Sequence, residues 1–171
     1  KYPAMREAFY DSNHPINTKW LIWFDDDSIA NKNPIWLTEL ARQIVEFAPN
    51  NYMMFGAKYK WRMVGSQAAT YRSRPWYRGR PFRNGQGRPA PNGDTVIFAT
   101  GGFWALNTEV MRICDMPDPL LQHNGGDVAM GEALYQMGYE LRQFNQNKQH
   151  VNTSSVPRRG LNETPFGARA R

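Results

Sequence analysis

The sequence predicts a mixed α/β domain, with helices flanking a central sheet, and three observations lead there. Residues 20–24, WLIWF, form an unbroken apolar run of the kind made by a strand covered on both faces. A helical stripe follows, in which Trp36, Leu37, Leu40, Ala41, Ile44 and Val45 share one face up to Phe47. Extended and helical patterns then alternate to about residue 144, the order of a layered α/β domain.

Each element has its own local cause. Tyr2, Met5 and Phe9 recur at helical spacing, and SNHPINT closes that helix with turn residues. WLIWF reads as a strand central in its sheet. Asn33-Pro34 reads as an N-cap with proline at the first helical position, and Pro49-Asn50-Asn51 ends the helix. Tyr52 to Phe55 forms the next strand. Across residues 57–95 the periodicity fails while Gly, Pro, Arg and aromatic residues accumulate, which reads as a long loop. Val96 to Ala99 and Phe103 to Leu106 read as two extended pieces joined by a tight turn at Gly101-Gly102. Asn107 caps a short helix through Val110, Met111 and Ile113. A helix around Val128 to Met137, ended by Gly138, leads into a strand from Tyr139 to Phe144.

Composition sets the outer limits. At 171 residues the chain fits one domain, expected over 1–150, with a polar tail over 151–171. Six Trp, nine Phe and eight Tyr predict an aromatic core. The one cysteine, Cys114, makes no internal disulfide and excludes sites built from several thiolates, so any metal must sit on Asp, Glu or His. No stretch reaches the roughly 18 apolar residues of a membrane span, and KYPAMREAF lacks the apolar run of a secretion signal. A soluble or cytoplasmic protein is therefore expected. The net charge of +6 is concentrated in Arg72, Arg74, Arg78, Arg80, Arg83 and Arg88, which raises the prospect of an anionic partner.

The chemistry is concentrated where WLIWF runs into DDDS. Three adjacent carboxylates repel one another and resist leaving water, so a positive partner is expected beside them. In an extended segment Asp25 and Asp27 point to one side while Asp26 points away. Two hard oxygen ligands at that spacing suit Mn²⁺ or Mg²⁺. An isolated DxD equally describes an acidic turn at the solvated end of a strand, so context decides. Two further stretches provide it: VIFATGGFWALN at 96–107 and GGDVAMGEAL at 125–134.

In this order, an apolar strand ending in DDDS, then FATGG with aromatic residues after it, then GDVxxGxxL, the chain resembles GT-A glycosyltransferases of the fringe and β-1,3-galactosyltransferase type over roughly residues 17–150. The resemblance implies an inverting, metal-dependent transfer from a nucleotide-sugar donor, a UDP-sugar, to a glycan or protein acceptor. It implies Asp27 as the principal metal ligand, with Asp25 and Asp26 holding ribose or the metal's waters and Asp25 near enough to share the ion. It implies Asp127 as the catalytic base, Gly101 and Gly102 as the close turn beside donor and acceptor, and Trp104 as an aromatic wall for a sugar. His150 takes the place of a metal-binding histidine, although a lone histidine also serves as an ordinary hydrogen-bonded residue. Arg158 and Arg159 would add charge beside the diphosphate. Asp127 also reads as a helix N-terminal acid that only favours the helix dipole.

Only 24 residues precede Asp25, where the resembled enzymes carry a sizeable nucleotide-binding half, so a missing N-terminal segment is expected. In the basic aromatic loop, Trp76, Tyr77 and Phe82 are candidates to stack on sugar rings, and the arginines to clamp an anionic acceptor. The competing class is a single-stranded nucleic-acid-binding module in which the same arginines track phosphates and the same rings stack on bases. That alternative leaves the aspartates unexplained, which disfavours nucleic acid as the partner. A third is an inactive carbohydrate-binding relative.

Overall fold

The computed structural model describes residues 2–25, 28–33, 35–120, 125–145, 149–153 and 163–165. In chain order the elements are helix α1 (Tyr2–Tyr10), strand β1 (Trp20–Phe24), β2 (Ser28–Ala30), α2 (Ile35–Phe47), a single 3₁₀ turn (Ala48–Asn50), β3 (Tyr52–Arg62), α3 (Gln67–Arg72), β4 (Thr95–Asn107), α4 (Thr108–Ile113), α5 (Gly126–Gln136), β5 (Glu140–Gln143), β6 (Val151–Thr153) and β7 (Glu163–Pro165). The fold is mixed α/β. Its main sheet runs β1-β4-β3-β5, with β7 pairing along the far end of β3, while β2 and β6 form a separate antiparallel pair. Among the described residues only the β3–β5 pairing is parallel.

Both faces of the sheet are covered. On one side Tyr2, Met5 and Phe9 of α1 and Val128, Ala129, Met130, Ala133 and Leu134 of α5 pack on Val96, Phe98, Trp104 and Leu106. On the other, Leu40 of α2 packs with Phe55, Phe103, Ala105, Phe144 and Val151. Side chains such as Phe98 and Met130, 1% exposed, each contribute roughly 1.5–3 kcal/mol by leaving water. Helix α5 approaches β4 closely because Gly131 has no side chain: a Cβ there would lie 2.3 Å from the Ile97 carbonyl oxygen.

Several local expectations hold. Tyr2, Met5 and Phe9 form the buried stripe of α1. Asn107 caps α4, its side chain accepting from the amides of Glu109 and Val110 at 3.0 and 3.1 Å. Three expectations are corrected. The apolar run of β1 implied a central strand, but β1 ends the described sheet and pairs with β4 alone. Trp20 and Ile22 face one core and Leu21 and Trp23 the other, so the run records two covered faces rather than two strand neighbours. The two extended pieces around Gly101-Gly102 are one strand, β4, and the tight turn is a bulge within it, where the pairing with β3 shifts register between Gly56 and Lys58.

The expected loop over 57–95 begins as the second half of β3 and includes α3. The remainder is an arm held by ordered contacts. The Gln136 side chain of α5 accepts from the amides of Arg78 and Arg80 and donates to the Arg80 carbonyl at 2.9 Å. The amides of Ala90 and Thr95 bond the carbonyls of Phe82 and Arg83. A side-chain amide from a helix and a few irregular backbone bonds thus take the place of a regular ladder.

Candidate functional site

The end of β1, the start of α5 and the start of α1 come together. Asp25 follows directly on β1, and its Oδ1 accepts a 2.8 Å hydrogen bond from Trp23 Nε1. Residues two apart in a strand share a side, which is why Trp23 can reach it. The Trp23 ring stacks on Trp104, its register partner on β4, at 5.9 Å and 17°. The Gly102 carbonyl at the bulge holds the acidic loop, accepting from the Asp25 amide at 3.2 Å and the Ser28 hydroxyl at 2.6 Å. The bulge in β4 therefore sets where Asp25 leaves the sheet.

Asp127 lies in the first turn of α5, where the helix dipole favours a carboxylate. Its Oδ1 accepts a 2.7 Å hydrogen bond from the Tyr2 hydroxyl. Tyr2 is 7% exposed and its ring lies on Gly126, where an added Cβ would meet Cζ at 2.2 Å. Burial pushes the Tyr2 phenol well above its usual range; the charge of Asp127 and the hydrogen bond to it push it further, and so does the charge of Asp25. Beside Tyr2, a groove of about 690 Å³ opens between α1 and Asp118-Pro119, lined also by Arg6 and Tyr10.

The other expected site residues fall in different places. Asp26 and Asp27, and Arg158 and Arg159, lie outside the described residues. Gly101 and Gly102 sit in the β4 bulge, Gly102 in contact with the acidic loop. Trp104 is fully buried behind Trp23 in the stacked pair, with its Nε1 unpartnered among the described residues, so the partly exposed ring beside Asp25 is Trp23. His150 immediately precedes β6; its carbonyl accepts from the Asn31 amide, just past β2, at 2.8 Å, which ties its strand to the exit of the acidic loop. Its ring stacks on Phe144 at 4.9 Å, and its Nε2 lies 2.9 Å from Gln149 Nε2. Among the described residues no three His, Cys, Asp or Glu side chains converge as a metal-binding group.

Trp76 is a core residue, 4% exposed, with its Nε1 donating to Asp118 at 3.1 Å. Phe82 is 3% exposed, and Tyr77, half-buried, packs against it at 5.9 Å. Two side chains at the site were not foreseen. Trp23 was legible, since it precedes Asp25 by two residues in a strand. Tyr2 was not, because only tertiary packing brings the first turn of α1 to α5.

In comparisons with known proteins, no family model, no curated protein and no solved structure matches the chain. The class that the fold defines is a mixed α/β domain with a central mixed sheet between helices. Among the described residues no helix is long and apolar enough to cross a membrane.

Proposed function

We propose that the chain carries the site of a GT-A-like, metal-dependent, inverting glycosyltransferase, which moves a sugar from a UDP-sugar to an acceptor hydroxyl. The observation that supports this reading is that Tyr2, whose hydroxyl bonds Asp127 at the start of α5, belongs to the same core cluster as Trp23, the ring bonded to Asp25 at the strand tip, although 102 residues of sequence separate the two aspartates. Carboxylates are the donors that Mn²⁺ and Mg²⁺ prefer, and Asp25 with Asp27 would hold such an ion, with His150 as a further candidate. Such an ion, held there, would supply positive charge to offset that of the departing diphosphate.

In this reading the chain's own residues do the rest. Trp23 fixes the carboxylate of Asp25 by its hydrogen bond. Asp127 takes the proton of the acceptor hydroxyl as that oxygen attacks the anomeric carbon and the bond to the diphosphate breaks. Tyr2 holds Asp127 Oδ1 and so orients the carboxylate. The groove lined by Tyr2, Arg6 and Tyr10 is where an acceptor would approach.

Calorimetric titration of UDP with and without Mn²⁺ tests the donor half: binding that requires the metal is expected. Asp127→Asn is expected to abolish transfer while leaving that binding intact. Turnover retained by the variant would remove Asp127 as the base, and metal-independent binding of UDP would remove the ion from the site.

A further inference from the structure

Helix α5 carries a second polar recess near its other end. Asp127 stands in its first turn, whereas Gly131, Leu134 and Tyr135 line a cavity of about 180 Å³ against β3 and the arm. At 1.5 Å per residue, Tyr135 lies about 12 Å along the helix from Asp127, so the two places are distinct. Three cations line the recess, Lys58, Arg80 and Arg83, and one carboxylate, Glu140.

The two arginines are fixed by contacts with Tyr135 and Glu140. Arg83 is 6% exposed, lies over the Tyr135 ring at 3.6 Å, and donates to both oxygens of Glu140 at 3.0 and 3.2 Å. Arg80 lies over the same ring at 4.2 Å and donates to the Tyr135 carbonyl. Glu140 therefore has its two oxygens engaged by Arg83, so the one carboxylate that lines the recess beside the three cations is already held. Burial lowers Lys58 from its usual range; Glu140 opposes the shift, and Arg83 and Arg142 add to it.

We propose that this recess between β3, the arm and the second half of α5 binds a single phosphate or sulfate group, held by Lys58, Arg80 and Arg83. Its volume falls below the roughly 300–1,000 Å³ of sites for whole drug-sized ligands, which fits one tetrahedral oxyanion rather than a nucleotide. Guanidinium forks match the oxygens of such a group, and the partial burial strengthens each charged hydrogen bond. The inference stands apart from the transferase reading and needs no turnover to test.

The full chain is titrated with inorganic phosphate, inorganic sulfate and glucose 6-phosphate, followed by backbone amide shifts. Saturable shifts around Lys58, Gly87 and Tyr139 are expected. Lys58→Gln and Arg80→Gln, whose own amide spectra report that they fold, are each expected to weaken binding about tenfold or more, the effect of losing one charged donor. Lys19→Gln, an exposed residue elsewhere, is expected to leave binding unchanged. Tighter binding of glucose 6-phosphate than of inorganic phosphate would assign the group to a sugar ester and the reverse to the free ion, and either supports the site. Absence of saturable shifts with all three anions, equal binding in both recess variants, or binding only of a single-stranded oligonucleotide would overturn it.

Discussion

The Tyr2 phenol donates a 2.7 Å hydrogen bond to Asp127 Oδ1, joining the first turn of α1 to the first turn of α5 across 125 residues of sequence. The contact is partly buried, and burial of the ring together with the charges of Asp127 and Asp25 keeps the phenol protonated. The first helix of the chain is thus part of the site as well as part of the core.

Removing that hydroxyl has two consequences. Tyr2→Phe is expected to lower stability at neutral pH by about 1.5–3 kcal/mol, the usual value of a hydrogen bond to a charged group. The folded-state value of Tyr2 is raised, so its contribution is complete below the ordinary tyrosine range and is lost as pH rises above about 10. The wild type should therefore lose stability on the alkaline side more steeply than the variant. Urea unfolding at about pH 7 and about pH 11 measures both; parallel losses would show that Tyr2 does not ionise on unfolding.

Trp23 reports on the strand tip. It bonds Asp25 and stacks on Trp104, so an ion on Asp25 changes its emission. Titration with paramagnetic Mn²⁺ is expected to quench tryptophan fluorescence saturably, and Trp23→Phe to lose most of the saturable part. Quenching that rises linearly in both proteins would count against Asp25 as a ligand.

Glu132 is fully buried on α5, where burial raises its carboxyl to about 7 against the opposing hydrogen bond from Gln136 and the charges of Arg83 and Arg80. Its value is raised, so the stability tied to its neutral form is complete below the usual carboxylate range and is lost as pH rises through about 7. Glu132→Gln keeps the acceptor for Gln136 and removes the ionisation. Between about pH 5 and about pH 8 the wild type should lose on the order of 2–3 kcal/mol relative to the variant. Thermal unfolding of the two proteins across that range gives the difference, and a constant gap would contradict it.

Gly131 sets the distance between α5 and β4. A Cβ there meets backbone, the Ile97 carbonyl at 2.3 Å, and the Phe98 Cβ at 2.7 Å, so neither neighbour can turn aside. Gly131→Ala is expected to destabilise the fold by about 2–4 kcal/mol despite the better helix propensity of alanine, because overpacking a rigid contact outweighs it. Denaturant unfolding decides; a stabilised variant would mean that the helix stands off the sheet.

The helices were legible where a local rule governs them. Asn107 as a cap and the Tyr2-Met5-Phe9 stripe each depend on residues within a turn or two, and both hold. The arm did not read from sequence because its order comes from irregular backbone bonds within it and from Gln136, a side chain hydrogen-bonding backbone some 56 residues away. Trp76 and Phe82 look like exposed stacking rings in an arginine-rich segment, yet folding the arm onto α3 and α5 buries both. At the site, Asp25 and Asp127 were legible by type and motif. Trp23 was legible by its strand parity with Asp25.

The sequence by itself determined the alternation of strands and helices, the acidic strand tip and the placement of an aspartate in the first turn of a helix, because side-chain period and capping act over a few residues. Tertiary structure alone decided that β1 ends the described sheet, that β4 bulges at Gly101-Gly102 to hold the acidic loop, and that Tyr2 bridges to Asp127. Those outcomes depend on which surfaces meet across a hundred residues, and packing at that range is settled by the whole core rather than by any one segment.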